Sequence, residues 1–259
     1  MDFFTIYTYN QWAAFLLILL RTSALFVTMP FFSSNNIPTL VKAGLCLSLS
    51  FMLQPVLNIS TDNYPTDIIG FALLAVGEMM IGAIMGLILR MIFAAIQIMG
   101  QLVGFQMGFA VANVLDPMGG EQVSVLAQFC YLLAMLIFFY LNGHLLLIAA
   151  LKDSFTMVPP GTFSLSQDLL ASVMLHASAM FSLALKLGAP IIGSLLFTQV
   201  SMGIVAKTVP QMNILIVGFP ITISVGLIFL GLALGTMMPT LADNFQGLQA
   251  MLQKIMRGM

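Results

Sequence analysis

Apolar residues run along this chain in long blocks, and polar residues collect in the gaps between them. The blocks are Gln11–Met29, Leu40–Leu57, Ile68–Phe109, Val123–Leu141, Leu169–Val200 and Met212–Met238. Several approach or exceed the roughly 18 to 20 residues that cross a bilayer as a helix. The links are rich in Ser, Asn, Asp and Pro, as in "FFSSNNIPT", "NISTDNYPTD" and "KDSFTMVPPGTFSLSQD". These residues favour turns and caps. Leu145–Leu151 is an apolar piece too short to span. The tail "ADNFQGLQAMLQKIMRGM" predicts a modestly amphipathic helix at an aqueous boundary. No internal repeat is visible.

A simple count of six spans fits poorly. The third block holds 42 residues and no proline. As one helix it would run about 63 Å, roughly twice the hydrocarbon thickness. A hairpin would need a turn near Arg90, and "GLILRMIFAA" offers none. The choice is between a long helix reaching beyond the bilayer in a larger assembly and a hidden tight turn. The fifth block is expected to break at Pro190, and it carries Lys186. The third block also runs into "GQLVGFQMGFAVANVLDPMGGEQ", residues 100–122. Pro117 forbids a helix interior and Gly119–Gly120 invite a turn. Asn113, Asp116 and Glu121 therefore fall in a gap between apolar flanks.

Composition agrees with the blocks. Of 259 residues, 60% are apolar, and only 8 basic and 9 acidic side chains are present. With a mean hydropathy of +1.07, the chain reads as an integral membrane protein. The net charge of −1 gives no electrostatic case for nucleic acid. "MDFFTIYTYN" lacks the basic start and cleavage pattern of a signal peptide, so the first block is expected to stay. Lys42, Lys152, Lys207, Lys254 and Arg257 are too few to set orientation. Cys46 and Cys130 lie inside apolar runs and read as small hydrophobes. His144 and His176 are isolated, and no catalytic order, phosphate loop or metal spacing appears. The sequence therefore argues against an enzyme and against a cofactor.

Three sets of residues carry more information. Gly100, Gly104 and Gly108 recur every four residues on one helix face, as do Gly82 with Gly86 and Gly231 with Gly235. Small residues at this spacing let helices approach closely, within one chain or between subunits. Arg21, Glu78, Arg90 and Lys186 are charges inside apolar runs, where a charge needs a partner, water or a route to the interface. Glu78 and Arg90 are 12 residues apart, about 18 Å on one helix, so they cannot pair there. The 21 methionines are adaptable fillers of a core, or of a deformable seal around a passage.

Four stretches together carry a resemblance. "RTSALFVTMPFF" places Arg21 nine residues before Pro30. The glycine helix leads into "GFAVANVLDPMGG". "FYLNGHLLLIAALKDSFTMVP" carries Asn142, Gly143, His144, Ser154 and Pro159. "AKTVPQMNILIVGFPITI" carries Lys207, Pro210, Gln211, Asn213, Gly218 and Pro220. Over essentially the whole chain this pattern resembles the FliR family of flagellar export proteins, whose virulence counterparts are the SctT proteins. Lys207 stands where arginine is more usual, which keeps the charge.

The resemblance implies an all-α membrane-type protein with long and broken helices, built into a helical multi-subunit assembly. A FliP-like part, residues 1–168, would join a FliQ-like hairpin and C-terminal helix, residues 169–259. FliP-like and FliQ-like subunits and an FlhB-like switch protein would be its partners. The assembly would pass unfolded flagellar proteins across the bacterial inner membrane at the flagellar basal body, driven by energy from other subunits. Residues of about 109–121 would plug the closed channel: Phe109, Val111, Asn113, Val114, Leu115, Asp116, Pro117, Met118, Gly119 and Gly120. Arg21, Glu78, Arg90, Lys186 and Lys207 would make inter-subunit charge contacts. Rival readings are a virulence-system homologue, a secondary transporter using the intramembrane charges, and an assembly scaffold with no lining role.

Overall fold

The computed structural model describes residues 9–32, 37–57, 65, 67–109, 124–209, 211 and 213–259. Among them helix is the only regular secondary structure: α1 Tyr9–Thr28, α2 Thr39–Leu53, α3 Ile68–Met107, α4 Val125–Tyr140, α5 Gly143–Met157, α6 Gln167–Thr208, α7 Ile214–Gln246 and α8 Leu248–Met256. The third apolar block is thus one helix of 40 residues, about 60 Å long, with no hidden turn.

Helix ends follow local chemistry. α1 closes where Met29 N–H returns to Leu25 O at 3.1 Å, one residue before Pro30. Asn142 separates α4 from α5 with φ 55. Asn is among the few non-glycine residues that enter this left-handed region readily. α5 leads into the turn Pro159–Thr162, closed by Thr162 N–H to Pro159 O at 3.1 Å. Pro160 presets the first central position and Gly161, with φ +89, takes the second, the signature of a type II turn. Ser166 caps α6 by accepting Leu169 N–H at 3.0 Å, and Asp168 lies in the first turn, where the helix dipole favours an anion.

The expected break at Pro190 does not occur. α6 runs 42 residues through it, and α7 likewise runs through Pro220 and Pro239. A proline removes one backbone donor, but packing elsewhere along a long helix can outweigh that local loss. Leu145–Leu151, too short to span alone, is part of α5 and so of the bent α4–α5 pair.

The chain forms two compact units. The first holds Met1–Met91, Asn142–His176 and Gly247–Met259. In it α1 buries one stripe: Ala13, Ala14, Leu17, Ile18, Arg21, Thr22 and Leu25. That is the spacing of one face of a 3.6-residue helix. Gly82 and Gly86 on α3 seat α1, because a Cβ on either would strike the Arg21 carbonyl or the Thr28 side chain. The tail does form a helix, α8, and it buries Leu248, Leu252, Ile255 and Met256. Ser164 and Ser166 donate to the carbonyls of Met259 and Gly258 and so anchor the chain's end.

The second unit holds Ile92–Leu141 and Ala177–Gln246. Phe93, Phe138 and Phe245 form its aromatic centre, with ring centroids 5.3 to 5.8 Å apart. Gly100 and Gly104 receive α4 closely, against Ala127 and Ser124. By contrast Gly231 and Gly235 on α7 face open space. The same spacing therefore serves helix contact inside the chain on α3 and none on α7.

This contrast is testable. Gly100→Ala should destabilise the folded chain by about 1–3 kcal/mol through overpacking. Gly235→Ala should instead be neutral or stabilising, by up to about 1 kcal/mol, because alanine favours an exposed helix interior over glycine. Thermal unfolding of the detergent-solubilised protein would check both, and equal effects would refute the assignment.

Candidate functional site

The first unit is organised around a fully buried ion pair. Arg21 Nε donates to Glu78 Oε2 at 2.6 Å, and neither side chain reaches solvent. Arg21 Nη1 donates to Ser154 Oγ and Nη2 to the Val158 carbonyl, each at 3.0 Å. The guanidinium carbon lies 4.0 Å from the centre of the Phe155 ring. The Ser154 hydroxyl in turn donates to Leu151 O at 2.6 Å. One guanidinium thus ties α1 to α3 and to the end of α5. The fork of fixed donors makes this possible, and a lysine ammonium would not reproduce it. The Gly161 amide approaches the Glu78 carboxylate from the type II turn.

Arg21 and Glu78 pair within the chain, and Glu78 Oε1, also buried, takes no hydrogen bond among the described residues. Their 57-residue separation hides the pairing from sequence. Ser154, Phe155 and Val158 were not assigned this role by sequence reasoning. The only available signal was a serine within an otherwise apolar helix face.

A second cluster closes α3 in the second unit. Gly108 N–H bonds Phe105 O and Phe109 N–H bonds Gly104 O, both at 3.1 Å. Gly108 has φ +93. This pair of bonds with a left-handed glycine is the Schellman ending. Gly108 therefore terminates the helix instead of extending the Gly100–Gly104 face, and Phe219 packs against it. Thr222 Oγ1 donates to Met107 O at 3.1 Å, and Gln199 Nε2 to Gln106 O at 3.3 Å. Two carbonyls that the helix end would leave bare are so satisfied from α7 and α6. A cavity of about 310 Å³ adjoins, lined by Gln106, Gly108, Gln199, Met202, Phe219 and Thr222 among others.

Of the expected plug residues, Phe109 is half-buried at this helix end. Val111, Asn113, Val114, Leu115, Asp116, Pro117, Met118, Gly119 and Gly120 lie outside the described residues. Arg90, Lys186 and Lys207 are exposed, and none makes an ion pair among the described residues. Among the described residues no three His, Cys, Asp or Glu side chains come together as a metal site would need.

The apolar surface is large. Within the spanning stretch of α3, 61% of residues are buried, against 28% in α6 and 22% in α7. Four helices are long and apolar enough to cross a membrane, or five with the bent α4–α5 pair as one span. Fold and site together define a polytopic helical membrane protein braced by a buried arginine–glutamate pair.

Comparison with known proteins narrows this class. The model of the family described as "Bacterial export proteins, family 1" matches residues 12–248. Flagellar biosynthetic protein FliR of Bacillus subtilis (strain 168) is 38% identical over 222 residues, 84% of each chain. FliR of Pectobacterium carotovorum is 34% identical over 243 residues, 92% of each, and FliR of Escherichia coli (strain K12) is 33% identical over 224 residues, 85% of each. The chain belongs to the FliR family of bacterial export proteins.

The buried pair makes a clear prediction. Arg21→Met or Glu78→Leu alone should cost about 3–5 kcal/mol, because each leaves one charge buried without its partner. The double variant should recover most of that loss. Unfolding of the purified protein in detergent, run as a double-mutant cycle, would check it, and additive losses would refute the pairing.

Proposed function

We propose that this chain is a core subunit of the flagellar type III protein export gate. In this reading it lines and plugs a channel that passes unfolded flagellar proteins across the bacterial inner membrane at the basal body. The observation that carries the reading is the uncovered apolar surface of α6 and α7. These helices have 42 and 33 residues and are buried over less than a third of their spanning stretches. A helix of about 63 Å exceeds the hydrocarbon thickness, so lipid cannot cover all of that surface. Neighbouring subunits can. The family and its flagellar relatives support the same direction.

The partners in this reading are FliP-like and FliQ-like subunits and an FlhB-like switch protein. Residues 1–168 act as the FliP-like part, and residues 169–259, which include α6 and α7, as the FliQ-like hairpin. Arg90 and Lys207 meet acidic groups of those neighbours. The plug begins where Gly108 ends α3. Apolar residues such as Phe109, Val111, Val114, Leu115 and Met118 suit a stopper, because an apolar constriction closes by excluding water. No step of bond chemistry is assigned to the chain.

The test is to delete part of 108–119, co-express the variant with its companion subunits, and record small-ion leak across the inner membrane. Leak from a complex that still assembles is the expected result. An assembled complex that stays tight would favour the scaffold reading. Solute-dependent flux through the chain alone, lost on neutralising Arg90 or Lys186, would favour a transporter.

A further inference from the structure

The end of α3 is held from one face of α7. Phe219, Thr222 and Gly226 fall at i, i+3 and i+7, the spacing of one helix face. Phe219 packs where a side chain on Gly108 would stand, and the Met107 thioether lies where one on Gly226 would. Between these two contacts the Thr222 hydroxyl lies 3.1 Å from the Met107 carbonyl. Met107 and Thr222 are both buried. All these residues belong to the second unit.

That hydroxyl has one proton and three carbonyls in reach, since Gly218 O and Phe219 O of its own helix are also 3.1 Å away. Those two lie inside α7, where the amides of Thr222 and Ile223 serve them. Met107 is the last residue of α3, and its carbonyl has no amide of its own helix to accept. The proton therefore goes to Met107. Gln199, which reaches Gln106 O at 3.3 Å, is exposed and has the longer, freer side chain. Threonine is branched at Cβ and stiff at χ1. Of the two donors, Thr222 is the one that fixes position. The chain then leaves α3 through Gly108, with φ +93, so where Met107 and Gly108 are held sets the direction of the residues that follow.

We propose that Thr222 is a positioning residue of the channel seal. Its hydroxyl, flanked by Phe219 and Gly226, keeps the end of α3 as a stationary base for the plug, whether the channel is closed or passing a substrate. The inference rests on the plug reading above and names the residue that aims the plug. A sealing segment works only when its support holds it in register.

The experiment uses the complex assembled with its companion subunits in the inner membrane. Thr222→Val removes the hydroxyl and keeps the shape. It should leave assembly at the parental level and raise small-ion leak about fivefold, the shift expected from one ordinary hydrogen bond. Thr222→Ser should restore the seal. A second arm replaces the hydroxyl by a covalent tether, the pair Met107→Cys and Gly226→Cys, which the contact between these residues brings within disulfide reach. Oxidation of that pair should return a Thr222→Val complex to parental leak. In the otherwise parental chain the oxidised pair should leave export of flagellar proteins unchanged, because the base does not move. A tight Thr222→Val complex, or an oxidised pair that blocks export reversibly, would overturn the inference. If deletion within 108–119 leaks while Thr222→Val stays tight, this inference alone falls. If that deletion stays tight, the plug reading falls first and takes the inference with it.

Discussion

A guanidinium and a carboxylate in contact, sealed from water, brace the first unit of this protein. Charges without water are costly unless matched, and Arg21 is matched three times over, by Glu78, by Ser154 and by the Val158 carbonyl, while Glu78 Oε1 takes no hydrogen bond among the described residues. The requirement is geometric. α1 must present Arg21 at the level where α3 presents Glu78, and α5 must end where Val158 can turn its carbonyl inward. Gly82 permits this by letting the Arg21 backbone lie directly on α3. The type II turn at Pro159–Thr162 then carries the chain past Glu78.

The same accounting governs the end of α3. A helix end in an apolar setting exposes carbonyls that nothing else will satisfy. Here the Schellman bonds of Gly108 and Phe109, the Thr222 hydroxyl and the Gln199 amide share the task. A long helix can stop abruptly at that point because side chains from α6 and α7 complete it. In the proposed function this rigid end is where the channel plug departs, and a fixed base suits a segment that must seal and release.

α6 and α7 are built differently. Their apolar residues, among them Phe197, Val200, Leu232 and Ile216, face outward. Gly231 and Gly235 keep the close-packing spacing with nothing packed on them. Pro190, Pro220 and Pro239 leave missing donors along the same helices. In the proposed function, neighbouring subunits use this pattern as contact surface.

Much of this was legible in the order of residues. Apolar block length determined that the chain is helical and membrane-bound, the lack of any turn signal near Arg90 left a single long α3 and a hidden turn both open, and the tail's spacing announced α8. The four quoted stretches carried the family. Those properties are local or depend on composition, so a one-dimensional reading reaches them. Sequence alone misjudged Pro190, because the loss of one hydrogen bond is weighed against packing along the rest of a 42-residue helix. It also left open which glycines face a neighbour within the chain. Only the tertiary structure decided that Glu78 pairs with Arg21 of the same chain. Residues 57 positions apart become partners through how three helices pack, and side-chain spacing along any one helix holds no record of that.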